Sequence, residues 1–482
     1  MIFENIEPKR ALFYFEEISK IPHGSGNTKA ISDYCAEFAS KKGLRFIQDE
    51  KGNVIIFKNA AEGYENSAPV ILQGHMDMVC EKEEQLEFDF KSDPLKLIIK
   101  DGFLTAEGTT LGADDGAAVS FMLALLEDEN LKAPSLECVF TVDEEIGMLG
   151  AAAMDMSPLS GRRMINLDHG CEDSFIAGCA GGVVAICHIP VARDKISGVM
   201  VNLNILGAAG GHSGEEIDKQ RANTNVLMGR FLHLISGELD YRLCSVCGGL
   251  KDNAIPRRTS ASIIISSSYA QRLLSLSEAF CSMIKSEYAV SDPDLSVTAE
   301  ISEEVCCYEA MDKESTGRVA KVICSLPAGV QKMSYYLPSL VQTSLNMGIL
   351  ATDDNEVRCS YCVRSSVGSE KEEVCKRLEA TLALAGGFVD YEGDYPAWEY
   401  VKSSKLALLM TDVYSEMRGR QPIIETIHAG LECGIFSNNL KGLECVSIGP
   451  SMDEIHTTRE RLDLESTKRT WDFLCRILER MK

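Results

Sequence analysis

Apolar positions near the start of the chain recur at helical spacing: Leu12, Phe15 and Ile18, then Ile31, Tyr34 and Phe38. This predicts two helices within residues 9–42, separated by the link PHGSGN. Short apolar runs follow in NVIIFK, APVILQGHMDMV, LECVFTVDEE and RRMINLDHG, with helical stretches between some of them, notably GAAVSFMLALLEDE. Alternating strands and helices predict an α/β domain with a mainly parallel sheet flanked by helices. From about residue 183 the texture changes. VVAICHIPV, GVMVNLNILGA, ASIIISSSY and LSVTAEIS read as alternating strands, with helices in NTNVLMGRFLHLISGE and SYAQRLLSLSEAFCSMIKSEYAV. This α+β pattern ends near EGDYPAWEY, and residues 404–482 return to helix, strand and helix, with ECVSIGP as a buried strand. The predicted organisation is one α/β domain in two parts, residues 1–182 and 396–482, interrupted by an inserted α+β domain at residues 183–395.

Composition narrows the function. A chain of 482 residues fits two or more domains, and 45% apolar with 25% charged residues is ordinary for globular proteins. The formal net charge of -24, from 48 Lys+Arg against 72 Asp+Glu, argues against the basic face that nucleic acid or an anionic membrane surface requires. It suits carboxylates used as cation ligands. No apolar run approaches the roughly 18 residues of a spanning helix, and the opening residues lack the cationic stretch and apolar run of a signal peptide. The 18 cysteines are scattered, many in apolar segments such as LECVF and AICHI. They read as reduced thiols of a cytoplasmic protein; CSVC at Cys244–Cys247 has no matching second pair.

The candidate chemistry lies where apolar runs end. In APVILQGHMDMV, His75 and Asp77 project to the same side of an extended strand, an arrangement that suits a metal ligand and its orienting carboxylate. LECVFTV runs into Asp143, Glu144 and Glu145, at the strand end where open α/β sheets place their sites. Neighbouring side chains diverge, so Glu144 and Glu145 divide two tasks, one with a cation and one with protons. MINLDHG repeats the theme with Asp168 and His169. LGADDG pairs Asp114 with Asp115 in an apolar stretch with no cation nearby. EIHTTRE carries His456 in a polar loop before a helix. A lone histidine is more often structural than a ligand. The joint pattern of His75, Asp114, Glu145, Asp168 and His456, all in the α/β parts, supplies two imidazoles and three carboxylates, a set suited to a pair of zinc-like ions.

GHMDMV, TTLGADDG, FTVDEEIGMLGA, INLD, GCAGG, GGHSG, NAIP, HAGLECG and EIHTTRE, taken in order, resemble the aminoacyl-histidine dipeptidases, also called Xaa-His or cytosol nonspecific dipeptidases. These belong to the co-catalytic zinc exopeptidases that include tripeptidase T, carboxypeptidase G and aminoacylase. The resemblance covers nearly the whole chain and implies a zinc-exopeptidase-like fold. It implies that His75 and Asp168 hold one metal, Glu145 and His456 the other, and that Asp114 bridges both. Asp77 would orient His75, and Glu144 would be general base and acid for a water held between the metals. A cis bond between Asp114 and Asp115 is also implied. Gly116 stands where other branches of the superfamily often carry lysine, a subfamily trait.

The same resemblance makes His212 in GGHSG a donor to the carbonyl oxygen of the scissile bond, in its own site or a partner's. An exopeptidase must also sense a chain end. Arg364 suits a free carboxylate through its fork of donors, and Gly430 through backbone amides; Asn253 and Glu432 are further candidates for substrate contact. The expected activity is hydrolysis of short unblocked peptides, chiefly dipeptides, with two divalent metal ions, zinc first and cobalt or manganese as alternatives. A tripeptide or N-acyl-amino-acid amidohydrolase is the alternative within the same chemistry, and a catalytically silent peptide-binding protein the alternative outside it. A homodimer is expected, with no nucleic-acid or membrane partner. The insert, long for one small α+β unit, is expected to contain two halves and to close over the site about hinges near residues 181–183 and Pro396.

Overall fold

The computed structural model describes residues 2–4 and 6–482, which divide into two compact units. The first comprises Met1–Cys179, Tyr400–Thr426 and Leu431–Lys482, and the second Ala180–Glu399 with Ile427–Gly430. The sequence reading set the insert at residues 183–395, and this unit runs from Ala180 to Glu399. It also claims four residues from the carboxyl-terminal part: the Ala180 amide donates to the carbonyls of Ile427 and Ala429, at 3.0 and 3.1 Å.

The first unit is built on an eight-stranded sheet: β1 (Arg45–Gln48), β2 (Val54–Lys58), β3 (Val70–His75), β4 (Leu136–Thr141), β5 (Arg163–Asn166), β6 (Ser174–Cys179), β7 (Ile423–Ile427) and β8 (Glu444–Ser447). Their order across the sheet is β1-β2-β4-β3-β5-β8-β6-β7. The four central strands β4, β3, β5 and β8 are parallel, while β1 against β2, β2 against β4 and β8 against β6 are antiparallel. Every residue of β3 and β4 is buried, as strands covered on both faces require. Helix α1 (Lys9–Ile18) turns Ala11, Leu12, Tyr14, Phe15 and Ile18 inward. Helix α3 (Ala113–Glu127), which follows α2 (Lys29–Lys41), is buried almost all round. A small sheet unseen in the sequence pattern pairs Leu97–Lys100 and Phe103–Ala106 with the short strands Met452–Asp453 and Arg461–Asp463. It packs Leu104, Met452 and Leu462 with Leu12 and Phe15.

The second unit carries a nine-stranded sheet: two four-stranded modules of the same topology, and a ninth strand, Gly329–Met333, paired antiparallel to Val341–Thr352. Arg193–Leu206, helix Thr224–Ser236, Tyr241–Gly248, Thr259–Ile265, helix Ala270–Glu287 and Ser296–Met311 form a βαββαβ module. Its strands lie fourth, first, third, second across the sheet. Gly181–Pro190, helix Lys313–Ser325, Val341–Thr352, Glu356–Ser365, helix Gly368–Leu384 and Phe388–Tyr395 repeat that topology and strand order. The first module is inserted between the first strand and first helix of the second. The modules join where Gly248 pairs with Leu350 and share one apolar core.

A charged knot ties the carboxyl end of α3 to the two amino-terminal helices. Glu127 accepts from the Arg10 guanidinium on α1 and from Lys42 at the end of α2. The Arg10 hydrogen bond, against an opposing effect of burial, and then Lys42 hold the Glu127 carboxyl down at about 2. A carboxyl depressed on folding contributes stability above its unfolded value of about 4.3, and that contribution is lost as pH falls through the folded value. Glu127→Gln is therefore expected to cost about 1 kcal/mol at pH 7 in urea denaturation. The gap to wild type should narrow at pH 3; an undiminished gap there would assign the effect to packing instead of charge.

Candidate metal and catalytic site

The central parallel strands end side by side, and each delivers a site residue at its carboxyl end. Strand β3 ends on His75, β4 runs into Asp143–Glu145, β5 into Asp168, and β8 leads to the Met452–Asp453/Arg461–Asp463 hairpin, whose loop carries His456. Helix α3 starts beside them with Asp114 and Asp115, joined by a cis peptide bond. Gly74 makes this approach possible: a Cβ there would lie 2.4 Å from both Asp115 Oδ2 and the Ala118 methyl.

The geometry gathers the five proposed ligands. Asp114 Oδ1 lies 3.0 Å from His75 Nε2, and Asp114 Oδ2 lies 3.4 Å from His456 Nε2. Glu145 Oε1 is 2.8 Å from the same His456 nitrogen, and Asp168 Oδ1 is 4.0 Å from His75 Nε2. Ligand atoms of His75, Asp114 and Glu145 fall within 4.8 Å of one another, as do those of His75, Asp115 and Asp168. One carboxylate thus stands between two imidazoles, each with a further carboxylate beside it. Asp115 is not turned away from this centre. Its Oδ2 accepts from the His75 main-chain amide and its Oδ1 caps α3 at Ala118, both at 3.3 Å.

His75 is aimed by its other nitrogen. Nδ1 lies 3.0 Å from the Asp77 main-chain oxygen and 3.5 Å from the Asp77 carboxylate, which leaves Nε2 for the centre. The Asp77 carboxylate is also occupied elsewhere. It accepts from Ser25 Oγ at 2.8 Å and from the amides of Glu144 and Glu145 at 3.0 and 3.3 Å. Asp77 therefore fixes the acidic turn as well as the histidine. The third acid of that turn, Asp143, adopts a left-handed backbone (φ 56°) and accepts from the Gly26 amide at 2.7 Å.

The charge balance shows which ions the site suits. Burial opposes ionisation of Asp114, yet hydrogen bonds from His456 and His75 hold its carboxyl far below the usual range. Burial and the Asp114 charge drive Asp168 well above it, and burial chiefly drives Asp115 the same way. Hydrogen bonds to Asp114 and Glu145 raise His456 to about 10. Burial and then the Glu432, Glu145 and Asp114 charges push Glu144 up to about 8. Ionised together, these carboxylates repel one another in a site partly shielded from water. Two imidazoles and three carboxylates are also a donor set suited to borderline divalent cations. The residues present fit such ions.

The second unit gathers the residues expected to recognise substrate. His212 pairs with Ala254 in a two-residue ribbon, and the Ser213 amide donates to the Asn253 carbonyl at 2.8 Å. The Glu215 amide donates to His212 Nδ1 at 3.3 Å, so the ring proton sits on Nε2. Burial and then the Arg364 charge lower His212, which keeps the ring neutral. Arg364 is buried on strand Glu356–Ser365, donates to the Tyr395 hydroxyl at 3.0 Å, and has no partner for Nε among the described residues. His428 lies 2.7 Å from Ser344 Oγ through Nε2, and burial and then Arg364 lower it to about 3. Gly430 follows in the segment that belongs to this unit. Glu432 does not join the cluster: it lies in the first unit, fully buried at the start of helix α4 (Glu432–Asn439), bonded to Gln73 and Thr141. Its placement suits support of the site, not substrate contact.

Glu460 is a site residue that sequence reasoning passed over. It is 2% exposed, and its two oxygens accept from the amides of Leu111, Gly112 and Ala113 at 2.8, 3.2 and 2.8 Å. It clamps the His456 loop to the turn that presents Asp114. The only signal was an acid four residues after His456 in EIHTTRE, and the amides it binds are some 350 residues away. Ser25 was hidden likewise, in a link read only as a separator.

Residues 71–480 match the peptidase family M20/M25/M40. The chain is 33% identical over 477 residues to the cytosol non-specific dipeptidase of Escherichia coli K12, covering 98% of each. The crystal structure of aminoacylhistidine dipeptidase from Vibrio alginolyticus superposes with a TM-score of 0.92 at 33% identity, over 99% of this chain and 98% of that one. A Staphylococcus aureus tripeptidase shares the fold, with a TM-score of 0.59 at 16% identity over 99% of both chains.

Removing the Glu460 clamp orphans three buried amides, each worth about 1–3 kcal/mol. Glu460→Ala is expected to lower stability by about 3 kcal/mol in urea denaturation and to weaken binding of a divalent cation at least about tenfold. Zinc titration of the folded variant checks the second effect; wild-type affinity would mean the clamp does not position Asp114 or His456.

Proposed function

Because the chain belongs to the peptidase family M20/M25/M40, we propose that it is a metal-dependent dipeptidase acting on short unblocked peptides. The full-length likeness to a protein named as a dipeptidase carries this reading. Two divalent ions are assigned, zinc first and cobalt or manganese as alternatives. His75 and Asp168 would hold one, Glu145 and His456 the other, and Asp114 would lie between them. When bound, such ions lower the pKa of water toward 7 and polarise a carbonyl.

The chain's own residues do the rest. Glu144, next to Glu145 on the turn that Asp77 holds, is the group that first takes and later returns a proton. It accepts the proton of the attacking water and delivers it to the leaving amine. Asp77 holds the Glu144 amide and the His75 ring in one frame. His212, neutral and protonated on Nε2, donates to the carbonyl oxygen as negative charge develops there. Arg364, with an unused Nε donor, takes the terminal carboxylate, assisted by Gly430 and Asn253.

No helix among the described residues is long and apolar enough to cross a membrane. Free thiols at all 18 cysteines support a cytoplasmic setting, and the homodimer rests on the family resemblance.

Glu144→Gln is expected to keep both ions and lower kcat by about 10²- to 10⁴-fold, read by metal analysis and dipeptide hydrolysis. Wild-type turnover with metal bound would displace Glu144 from the base role. Asp114→Asn should strip metal, whereas Asp115→Asn should mainly lower kcat; equal metal loss from both would remove the distinction. A panel of dipeptides, tripeptides and N-acyl amino acids ranks the substrate classes by kcat/KM.

A further inference from the structure

Directly beneath the candidate site, three neighbouring parallel strands each bury one polar side chain two residues or so before the residue that reaches the centre. These are Gln73 on β3, Thr141 at the end of β4 and Asn166 at the end of β5, all with no exposed surface. They form a continuous chain of hydrogen bonds. Asn166 Nδ2 donates to Gln73 Oε1 at 2.7 Å, and Gln73 Nε2 donates to Thr141 Oγ1 at 3.2 Å. Glu432 closes it from α4: its Oε2 accepts from Gln73 Nε2 at 2.5 Å and from Thr141 Oγ1 at 2.6 Å. The upper end is tied to the centre, because the Asp168 amide donates to Asn166 Oδ1 at 3.4 Å. The helix that carries Glu432 is seated on the same sheet, with Cys433 Sγ 3.4 Å from Cys445 Sγ on β8.

We propose that Glu432 is a positioning residue: it completes a buried polar belt across β4, β3 and β5 that sets the spacing of His75, Asp168 and the Glu144–Glu145 turn. The proposal rests on the metal-dependent reading above. Apolar side chains would pack these strand interiors as well, so an amide, a hydroxyl, a second amide and a carboxyl in one layer need a reason. Polar groups this deep tolerate only the register in which all donors are met. A slip of one strand against its neighbour breaks the belt before it disturbs the apolar packing below. The strand ends above are thereby held to one relative height, as ligands from three strands around a shared centre require. Only Oε2 of Glu432 is used; Oε1 is buried and has no hydrogen-bond partner among the described residues. One acceptor oxygen therefore suffices, and glutamine supplies one.

The test uses the full chain, stripped of metal with a chelator and titrated with zinc chloride against a chromophoric competitor, with dipeptide kcat and KM measured in parallel. Glu432→Ala and Thr141→Val, the latter nearly isosteric, are each expected to weaken zinc affinity about 10- to 100-fold and to lower kcat with little change in KM. Glu432→Gln should stay within about threefold of wild type on all three measures. The double variant Glu432→Ala/Thr141→Val should be no worse than the poorer single variant, since both break one network. Zinc affinity within twofold of wild type in Glu432→Ala overturns the proposal, as does a double variant whose losses multiply, or a Glu432→Gln that falls as far as alanine. If Glu432→Ala does not fold, Thr141→Val decides alone, and unchanged zinc affinity there overturns it. A wild type that binds zinc but hydrolyses no dipeptide defeats the dipeptidase reading while the belt is still judged on affinity. A wild type that binds no zinc defeats both.

Discussion

Mutual repulsion of buried carboxylates is the constraint on which the first unit depends. Asp114, Asp115, Glu144, Glu145 and Asp168 converge at the ends of adjacent strands and at one helix start, with two imidazoles as their nearest positive partners. Desolvation disfavours the charges of Asp114, Asp115, Glu144 and Asp168, and neighbouring like charges add to this for the last three. Burial and like charge drive Asp168 and Asp115 up while the histidines hold Asp114 down. A site of this composition suits divalent cations, beside which its carboxylates would ionise together.

The surrounding scaffold keeps that unfavourable cluster in one geometry. The strands are central and parallel, so their carboxyl ends meet without intervening edges, and the belt of Gln73, Thr141 and Asn166 lies one layer down. Two buried acids serve as clamps: Glu460 fastens the His456 loop to the Asp114 turn through three backbone amides, and Asp77 fastens the Glu144–Glu145 turn to His75. His456 itself has a left-handed backbone, φ 63°, a conformation costing about 1–3 kcal/mol for a residue with a Cβ. Its hairpin, paired to Phe103–Ala106, holds it there.

In the second unit the residues proposed for recognition are arranged by different means. His212 sits in the short ribbon with Ala254, Arg364 on the large sheet, and His428 against Ser344 of that sheet, and burial and then the positive Arg364 keep both imidazoles neutral. A neutral histidine with Nδ1 accepting from the main chain is a fixed donor through Nε2. That is the form required to meet a developing oxyanion, with no charge in place beforehand to tighten the hold on an intact carbonyl.

The features legible in the amino-acid sequence are the local ones. Periodicity located most of the strands and helices, and apolar runs ending in acids or histidine exposed His75, Glu144, Glu145 and Asp168, because a strand's carboxyl end is legible where hydrophobic residues stop. Motif order supplied the family and, with it, the roles expected of Asp114 and His456. Features that depend on contacts between distant segments emerged with the folded chain. The nesting of one βαββαβ module inside another leaves no mark in period or composition, since each strand reads the same whichever neighbour it pairs with. The antiparallel flanks of the main sheet and the small sheet under the His456 hairpin were hidden for the same reason. Glu432 looked like a substrate ligand from its motif, and its burial beneath the site could not be read there. Glu460 and Ser25 stabilise the centre through hydrogen bonds to partners about 350 and 50 residues away, and a single polar side chain in a loop carries no trace of the partner it will find.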